Sequence, residues 1–515
     1  MNKELGKNSR SKNTLLNILF GYGVQIGILV LSFVNRKIFL RFLPIDYLGI
    51  NGLFSNILTI LALAELGLDS SVVYTLYKPV SEKNYPLIHS LLTYFKKVYS
   101  LVSVIILGIG LMLIPFLRFI ITTDLSYSDV VIYYVLFLIN NVASYFVAHK
   151  VALISAFQEQ RIQKVISLVT TLLLQIAHII VLFVVPNYYI YVVTTLVFTF
   201  VNNLVISFVC KKRYHIVFEN TEFVPFDKKP IIERIKSVFL YKIGAVAVNN
   251  TDNILISALV STDAVGLYSN YCLLTIAVQG FITIVNTSLI SSIGNLAASK
   301  NRERQVELFY MFVLFYHCLA AICGIGFALL FNNFVAIWLG TEFLLSQSIV
   351  YVIALNFYFT NVVSPIWIFR EANGLFEKVR YLVLIRALCN LIFSFVLGKL
   401  YGTFGILLAT VLSLLLTSFW YEPKILYGAV FEEKSLKYWQ KQGKHIVVAI
   451  LAFVISYYVS CLFDDTIISF AIKAVIIVLI TFGLFYIFNI KTKEFSTFKL
   501  FFNRTKLHKF TGSKL

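Results

Sequence analysis

The sequence predicts an all-α polytopic membrane protein of about 14 transmembrane helices, arranged as two six-helix lobes followed by two C-terminal helices. Three observations carry this: composition, the recurrence of long apolar runs, and the alternation of basic loops. Hydrophobic residues make up 59% of the 515-residue chain and charged residues only 13%, against roughly 25% charged in a soluble domain. Mean hydropathy is +0.83. A helix needs about 20 apolar residues to cross a bilayer core, and runs of that length recur along the whole chain. A transmembrane barrel would instead show alternating segments of about ten residues.

The runs place spans near 13–35, 47–68, 98–117, 130–156, 165–186, 187–210, 237–260, 264–298, 308–332, 347–369, 379–398, 402–421, 446–463 and 466–490. Lys and Arg that flank short loops stay on the cytoplasmic side, and every second loop here is basic. Lys3, Lys7, Arg10 and Lys12 precede the first span, and Lys211, Lys212, Arg213, Lys228, Lys229, Arg234 and Lys236 crowd the longest loop. Lys300, Arg302 and Arg304, then Arg370, Lys378 and Arg380, continue the alternation. The intervening loops hold little beyond Arg118 with Asp124 and Asp129, then Asp263, Glu342, Lys399, Asp464 and Asp465. Both termini are therefore expected to be cytoplasmic. The organisation that follows is an N-lobe of helices 1–6 over 1–210, a cytoplasmic linker over 211–236 and a C-lobe of helices 7–12 over 237–430. Helices 13–14 occupy 431–490 and a basic tail occupies 491–515.

The net charge of +19 does not point to nucleic acid, because the cations are scattered over inside loops rather than gathered with aromatic platforms. They set topology and meet anionic lipid head groups. The six cysteines lie mostly within spans, without a CxxC or a histidine at ligand spacing, so neither a disulfide framework nor a metal site is expected. No Walker A, GxSxG or HExxH pattern occurs, and the longest outside loop, 332–347, has one acid and no histidine. An enzyme is not expected.

The chain also repeats. Asp46-Tyr47-Leu48-Gly49 follows the first span, and Asp263-Ala264-Val265-Gly266 follows the seventh, 217 residues later (46 to 263). The same offset carries Gln25, Ser32 and Arg36 onto Lys242, Asn249 and Asn253, a set spaced i, i+7, i+11 that returns to one helix face. Six spans fill the interval, so the copies share one orientation, a plan that in transporters places the substrate path between lobes.

A charge at mid-helix costs about 2.5–3.5 kcal/mol on the insertion scale, which makes each one a candidate functional group. Lys242 and Asp252 lie in span 7 with Asn249, Asn250 and Asn253; Glu65 and Asp69 are i and i+4 at the cytoplasmic end of span 2; Arg36, Lys37 and Arg41 close span 1 on the outer side. Alternatives stay open for each: snorkelling for the three span-1 cations, solvation at the membrane edge for Glu65 and Asp69, a structural ion pair for Asp252. Lys473 and Arg386 are expected to snorkel, His178 and His317 to be packing residues, and Gly23 and Gly27 to serve close helix packing.

Phe42 to Gly49 (FLPIDYLG), then Glu65-Leu66-Gly67, resemble the first two helices of the polysaccharide-exporting flippases in the multidrug/oligosaccharidyl-lipid/polysaccharide exporter superfamily. Asp252 to Ser257, Val265 to Ser269 and 286–298 are similar to that family's seventh and eighth helices. The resemblance covers the whole chain. It implies a flippase of the bacterial cytoplasmic (inner) membrane for undecaprenyl-pyrophosphate-linked oligosaccharide repeat units, serving O-antigen, capsule or exopolysaccharide assembly beside a polymerase and glycosyltransferases. It also implies two lobes around a polar, often cationic cavity and alternating access driven by an ion gradient. Arg36 and Arg41 would belong to the cavity end of helix 1 and Asp252 to the inward stripe of helix 7. Glu65 stands where relatives often show Asp. In this reading Arg36, Lys37, Arg41 and Lys242 meet the pyrophosphate, and Gln25, Asn249 and Asn253 meet sugar hydroxyls. Glu65, Asp69 or Asp252 binds a coupling proton or sodium ion, and no other cofactor is expected. The competing readings are a small-molecule or drug antiporter of the same superfamily and a flippase for the peptidoglycan precursor.

Overall fold

A computed structural model describes residues 26–65, 68–219, 222–233, 235, 250–298, 301–464 and 466–500; no strand occurs among these described residues. Ten helices among them are long and apolar enough to cross a membrane, and each span expected from the sequence falls on helix in its described part. Internal contacts divide the chain into two units, Met1–Val246 and Ala247–Leu515.

The first unit contains α1 (26–42), α2 (Ile45–Leu61), α3 (Leu68–Ser81), α4 (Tyr85–Met112), α5 (Tyr127–Ala156), α6 (Gln160–Val184) and α7 (Tyr188–Arg213). Polar residues start these helices by taking up first-turn amides. Asn84 Oδ1 accepts from Leu87 N at 3.1 Å, with a proline in the same turn, and Asn187 Oδ1 accepts from Tyr189 N at 2.8 Å. Ile50, Leu53 and Phe54 form the buried face of α2 at i, i+3, i+4, and the Phe54 ring meets Tyr134 at 5.3 Å. α4 and α5 touch closely at Gly110, where an added Cβ would lie 2.6 Å from Leu138 Cδ1. The Tyr134 hydroxyl donates to the Gly110 carbonyl at 3.0 Å, and Asn203 of α7 donates to the Ala143 carbonyl of α5 at 2.9 Å. At the turn between α5 and α6, Glu159 accepts from Arg213 and Tyr214.

The second unit contains α8 (Asp252–Leu259), α9 (Thr262–Ala298), α10 (Arg302–Trp338), α11 (Gln347–Val362), α12 (Ser364–Ala372), α13 (Phe376–Leu416), α14 (Ser418–Leu426), α15 (Leu436–Ser460) and α16 (Ile467–Asn489). Its centre is α10 with α11–α12, whose most apolar windows are 61% buried against 17% for α16. Ala320, Ala321, Gly324 and Ala328 let α10 approach its neighbour, and a Cβ on Gly324 would sit 3.4 Å from Tyr358 Cβ. α13 holds two expected spans, 379–398 and 402–421. They are separated at Gly402, whose φ of 59° and ψ of −140° are non-helical and open essentially only to glycine. α2 and α9 each carry an aspartate in the first turn, Asp46 and Asp263, at the offset of the repeat, where the helix dipole favours an anion.

Several expectations are corrected. Among the described residues nothing lies within 4 Å of a Cβ built on Gly27; Gly23 lies outside the described residues. Span 2 was expected to reach 68, but α2 ends at Leu61 and a 3-10 turn, Ala62–Glu65, follows. Lys473 is buried, at 5% exposure, and does not snorkel; Arg386 is half-buried, with Asp252 and Glu422 as electrostatic neighbours in its own unit. Arg370 is no topology-setting loop cation: it is buried and bridges to the buried Glu422 at 2.7 Å.

Candidate functional site

In the first unit the candidate residues sit on α1 and at the α2–α3 junction. Ser32 and Asn35 turn toward α6: Asn35 Nδ2 donates to Gln175 Oε1 at 2.5 Å, and Gln175 Nε2 donates to Ser32 Oγ at 3.4 Å. Arg36 is half-buried and interacts electrostatically with Tyr191 of α7, whose ring stacks on His178 at 3.7 Å. Lys37 and Arg41 are exposed on the surface of the unit. Three cations thus lie within two turns of one helix end, one drawn inward and two accessible. Gln25 lies outside the described residues.

Glu65 closes the 3-10 turn and Asp69 opens α3, so the two do not share the single α-helix that their i, i+4 spacing suggested. Both are nonetheless met by tyrosines from other helices. The buried Tyr99 hydroxyl of α4 donates to Asp69 Oδ1 at 2.7 Å, and the buried Tyr145 hydroxyl of α5 is hydrogen-bonded to Glu65. Each carboxyl thus meets one tyrosine hydroxyl from a neighbouring helix, with Glu65 half-buried and Asp69 exposed, the solvated position that the sequence left open for Asp69.

In the second unit Asp252 opens α8. The Thr410 hydroxyl of α13 reaches both carboxylate oxygens, at 3.2 and 3.0 Å. It accepts in turn from Asn390 Nδ2 at 3.0 Å, and Asn390 Oδ1 accepts from Thr251 at 3.4 Å. Arg386, one turn before Asn390, interacts electrostatically with both Asp252 and Glu422. Asn253 is half-buried and its Oδ1 has no hydrogen-bond partner. Lys242 and Asn249 lie outside the described residues.

Two hollows in the second unit were not foreseen. A polar one of about 280 Å³ is lined by Tyr268, Thr275 and Gln279 of α9 with Asn356 and Thr360 of α11. The first three are spaced i, i+7, i+11, the interval already noted on spans 1 and 7, so the signal was present on the next helix as well. An apolar groove of about 510 Å³ runs among α10, α11 and α15, floored by Gly324, Ala328, Ala354 and Ala449 and walled by Phe453 and Tyr457.

The family described as "Polysaccharide biosynthesis protein" matches residues 12–293, more than half of the chain. The chain belongs to that family. None of the curated protein sequences matches it. Its fold is that of the multidrug/oligosaccharidyl-lipid/polysaccharide exporter transporters. It is similar to the lipid II flippase MurJ in an inward closed conformation, with a TM-score of 0.70 at 14% identity, covering 91% of this chain and 98% of the other. An inward-facing multidrug resistance MATE family transporter aligns with a TM-score of 0.60 at 13% identity over 78% and 95%. The Vibrio cholerae MATE transporter VcmN, as a D35N mutant, follows with 0.54 at 11% over 83% and 99%. At these identities the structures speak for the fold of this polysaccharide biosynthesis family member and not for its cargo.

Proposed function

We propose that this chain moves lipid-linked oligosaccharide repeat units, carried on undecaprenyl pyrophosphate, across the bacterial cytoplasmic membrane by alternating access, with both termini cytoplasmic. The observation that carries the reading is membership of the polysaccharide biosynthesis family on a flippase-type fold. The physics is consistent with it. Each unpaired sugar hydroxyl costs about 0.5–2 kcal/mol in apolar surroundings even on lenient scales, so an oligosaccharide does not cross unaided. The hydroxyls and amides of the polar hollow offer replacement hydrogen bonds, and the apolar groove suits an isoprenoid chain. Arg36, Lys37 and Arg41 supply the cations that a pyrophosphate needs. With the cell interior negative, moving two negative charges outward releases about 4.6 kcal/mol per 100 mV. The empty carrier then returns with an ion at Glu65–Asp69 or at Asp252. The product feeds a polymerase, and glycosyltransferases supply the substrate.

A second reading, a flippase for the peptidoglycan precursor, is favoured by the likeness to the lipid II flippase; a drug antiporter is favoured by the MATE likenesses. Charge reversal at Arg36 and Arg41 separates them. Surface glycan is expected to be lost while dye resistance and viability are unchanged. Dye sensitivity with normal glycan identifies an antiporter, and lethality under depletion identifies a peptidoglycan role.

A further inference from the structure

We propose that the polar hollow between α9 and α11 reads the acetamido group of an N-acetylated sugar, with Gln279 and Asn356 as the residues that recognise its carbonyl. The inference rests on the lipid-linked oligosaccharide reading above and names a sugar class for this hollow. Each helix brings polar side chains four residues apart to the same space, Thr275 and Gln279 from α9 and Asn356 and Thr360 from α11. At about 280 Å³ the hollow suits one sugar residue rather than a whole repeat unit.

The hydrogen bonds around the hollow decide which polar atoms remain for a ligand. The Asn361 amide nitrogen donates to the Phe357 carbonyl at 2.9 Å, and a carbonyl can only accept. The same nitrogen meets Gln279 Oε1 at 3.0 Å, so the oxygen end of Gln279 is committed and its NH₂ is the end left to donate. Asn356 Oδ1 accepts from the Thr360 hydroxyl at 3.4 Å, which leaves the Asn356 NH₂ as a second donor. The threonine hydroxyls direct their hydrogens away from a ligand, Thr360 to Asn356 and Thr275 to the Cys272 carbonyl at 3.0 Å, so toward a ligand they act as acceptors. The hollow therefore combines two amide donors and two hydroxyl acceptors with the apolar side chains of Ile353, Phe357 and Leu407. An acetamido group matches all three features: its carbonyl accepts, its N–H donates and its methyl lies against apolar side chains. A carboxylate offers acceptors alone and leaves the threonine oxygens without a donor. A hydroxyl donates and accepts but brings no methyl, and burial of one methyl favours the acetamido sugar by about fourfold.

The test is saturation-transfer NMR on the purified full-length protein in detergent, with N-acetylglucosamine, glucose and glucuronate as separate probes at millimolar concentration. Expected is saturation of the acetamido methyl of N-acetylglucosamine, with glucose and glucuronate binding weaker by about fourfold or more. Gln279→Glu keeps an oxygen toward Asn361 and replaces the donating NH₂ with a second oxygen, so N-acetylglucosamine is expected to fall to the level of glucose. Gln279→Met removes the donor without adding a charge and is expected to give the same loss, which covers the case in which Gln279→Glu does not fold. Equal saturation of the three sugars, a strongest signal from glucuronate, no methyl saturation in wild type, or a methyl signal undiminished in the folded variants overturns the assignment. The carrier reading fails separately: surface glycan at the wild-type level in a deletion strain removes it and leaves the sugar selectivity of the purified protein standing.

Discussion

Glu159 sits outside the spans, at the turn between α5 and α6. Hydrogen bonds from Arg213, reinforced by Tyr214, hold its carboxyl down at about 2 against desolvation that acts the other way. A depressed carboxylate contributes stability that is present above its unfolded value of about 4.5 and is lost as pH falls through about 2. The Tm difference between wild type and Glu159→Gln is therefore expected to be constant from pH 8 to 6 and to shrink as the pH falls from about 4.5 toward 2, as scanning calorimetry in detergent would read. At this scale the sequence was partly readable. Charge within a span marked Asp252, and charge at a span's end marked Glu65, because lipid tolerates so few, but their partners were hidden. Tyr99 and Tyr145 are two of 30 tyrosines, and Thr410 and Asn390 are ordinary in an apolar helix. Only three-dimensional proximity sets them apart. Lys473 misled for a related reason: closeness to a helix end suggests snorkelling, while neighbouring helices decide whether a side chain turns inward.

Between helices, the close contact of α4 and α5 depends on an absent side chain. Gly110→Ala would push a methyl to 2.6 Å from Leu138 Cδ1, and overpacking of this kind costs about 1–3 kcal/mol. A Tm drop is expected in Gly110→Ala, and the Gly110→Ala/Leu138→Ala double mutant is expected to lose less than the sum of the two single losses, because the added methyl then occupies the space that the leucine leaves. Additive losses would place the strain elsewhere. Helix existence was legible in the apolar runs, and so was the α13 division, since Lys399 and Gly402 interrupt the run there. The end of α2 at Leu61 was not, because Ala62-Leu63-Ala64-Glu65 reads as good helix former throughout. The 3-10 turn, Ala62–Glu65, coincides with the contacts of Glu65 and Asp69 to Tyr145 and Tyr99, tertiary partners that local propensity does not register.

Across the molecule, the family match and the fold agree on a multi-pass membrane protein, and its internal contacts divide it into two units, each offering polar groups in an otherwise apolar helical setting. Asp46 and Asp263, the pair from which the sequence reads a repeat at offset 217, both sit in the first turn of a helix, where a side-chain anion is favoured. The hollows were less visible, because a groove floored by glycine and alanine leaves no pattern distinct from close packing. A carrier built this way is expected to leave its cargo on the leaflet where it is made when the carrier is absent. The most direct measurement is the leaflet distribution of lipid-linked repeat units in a deletion strain, read by labelling their sugars in right-side-out and inside-out membrane vesicles. Repeat units should accumulate on the cytoplasmic leaflet and return to the outer leaflet with the wild-type chain but not with the charge-reversed Arg36/Arg41 variant. An unchanged outer-leaflet fraction in the deletion strain would contradict the flippase assignment.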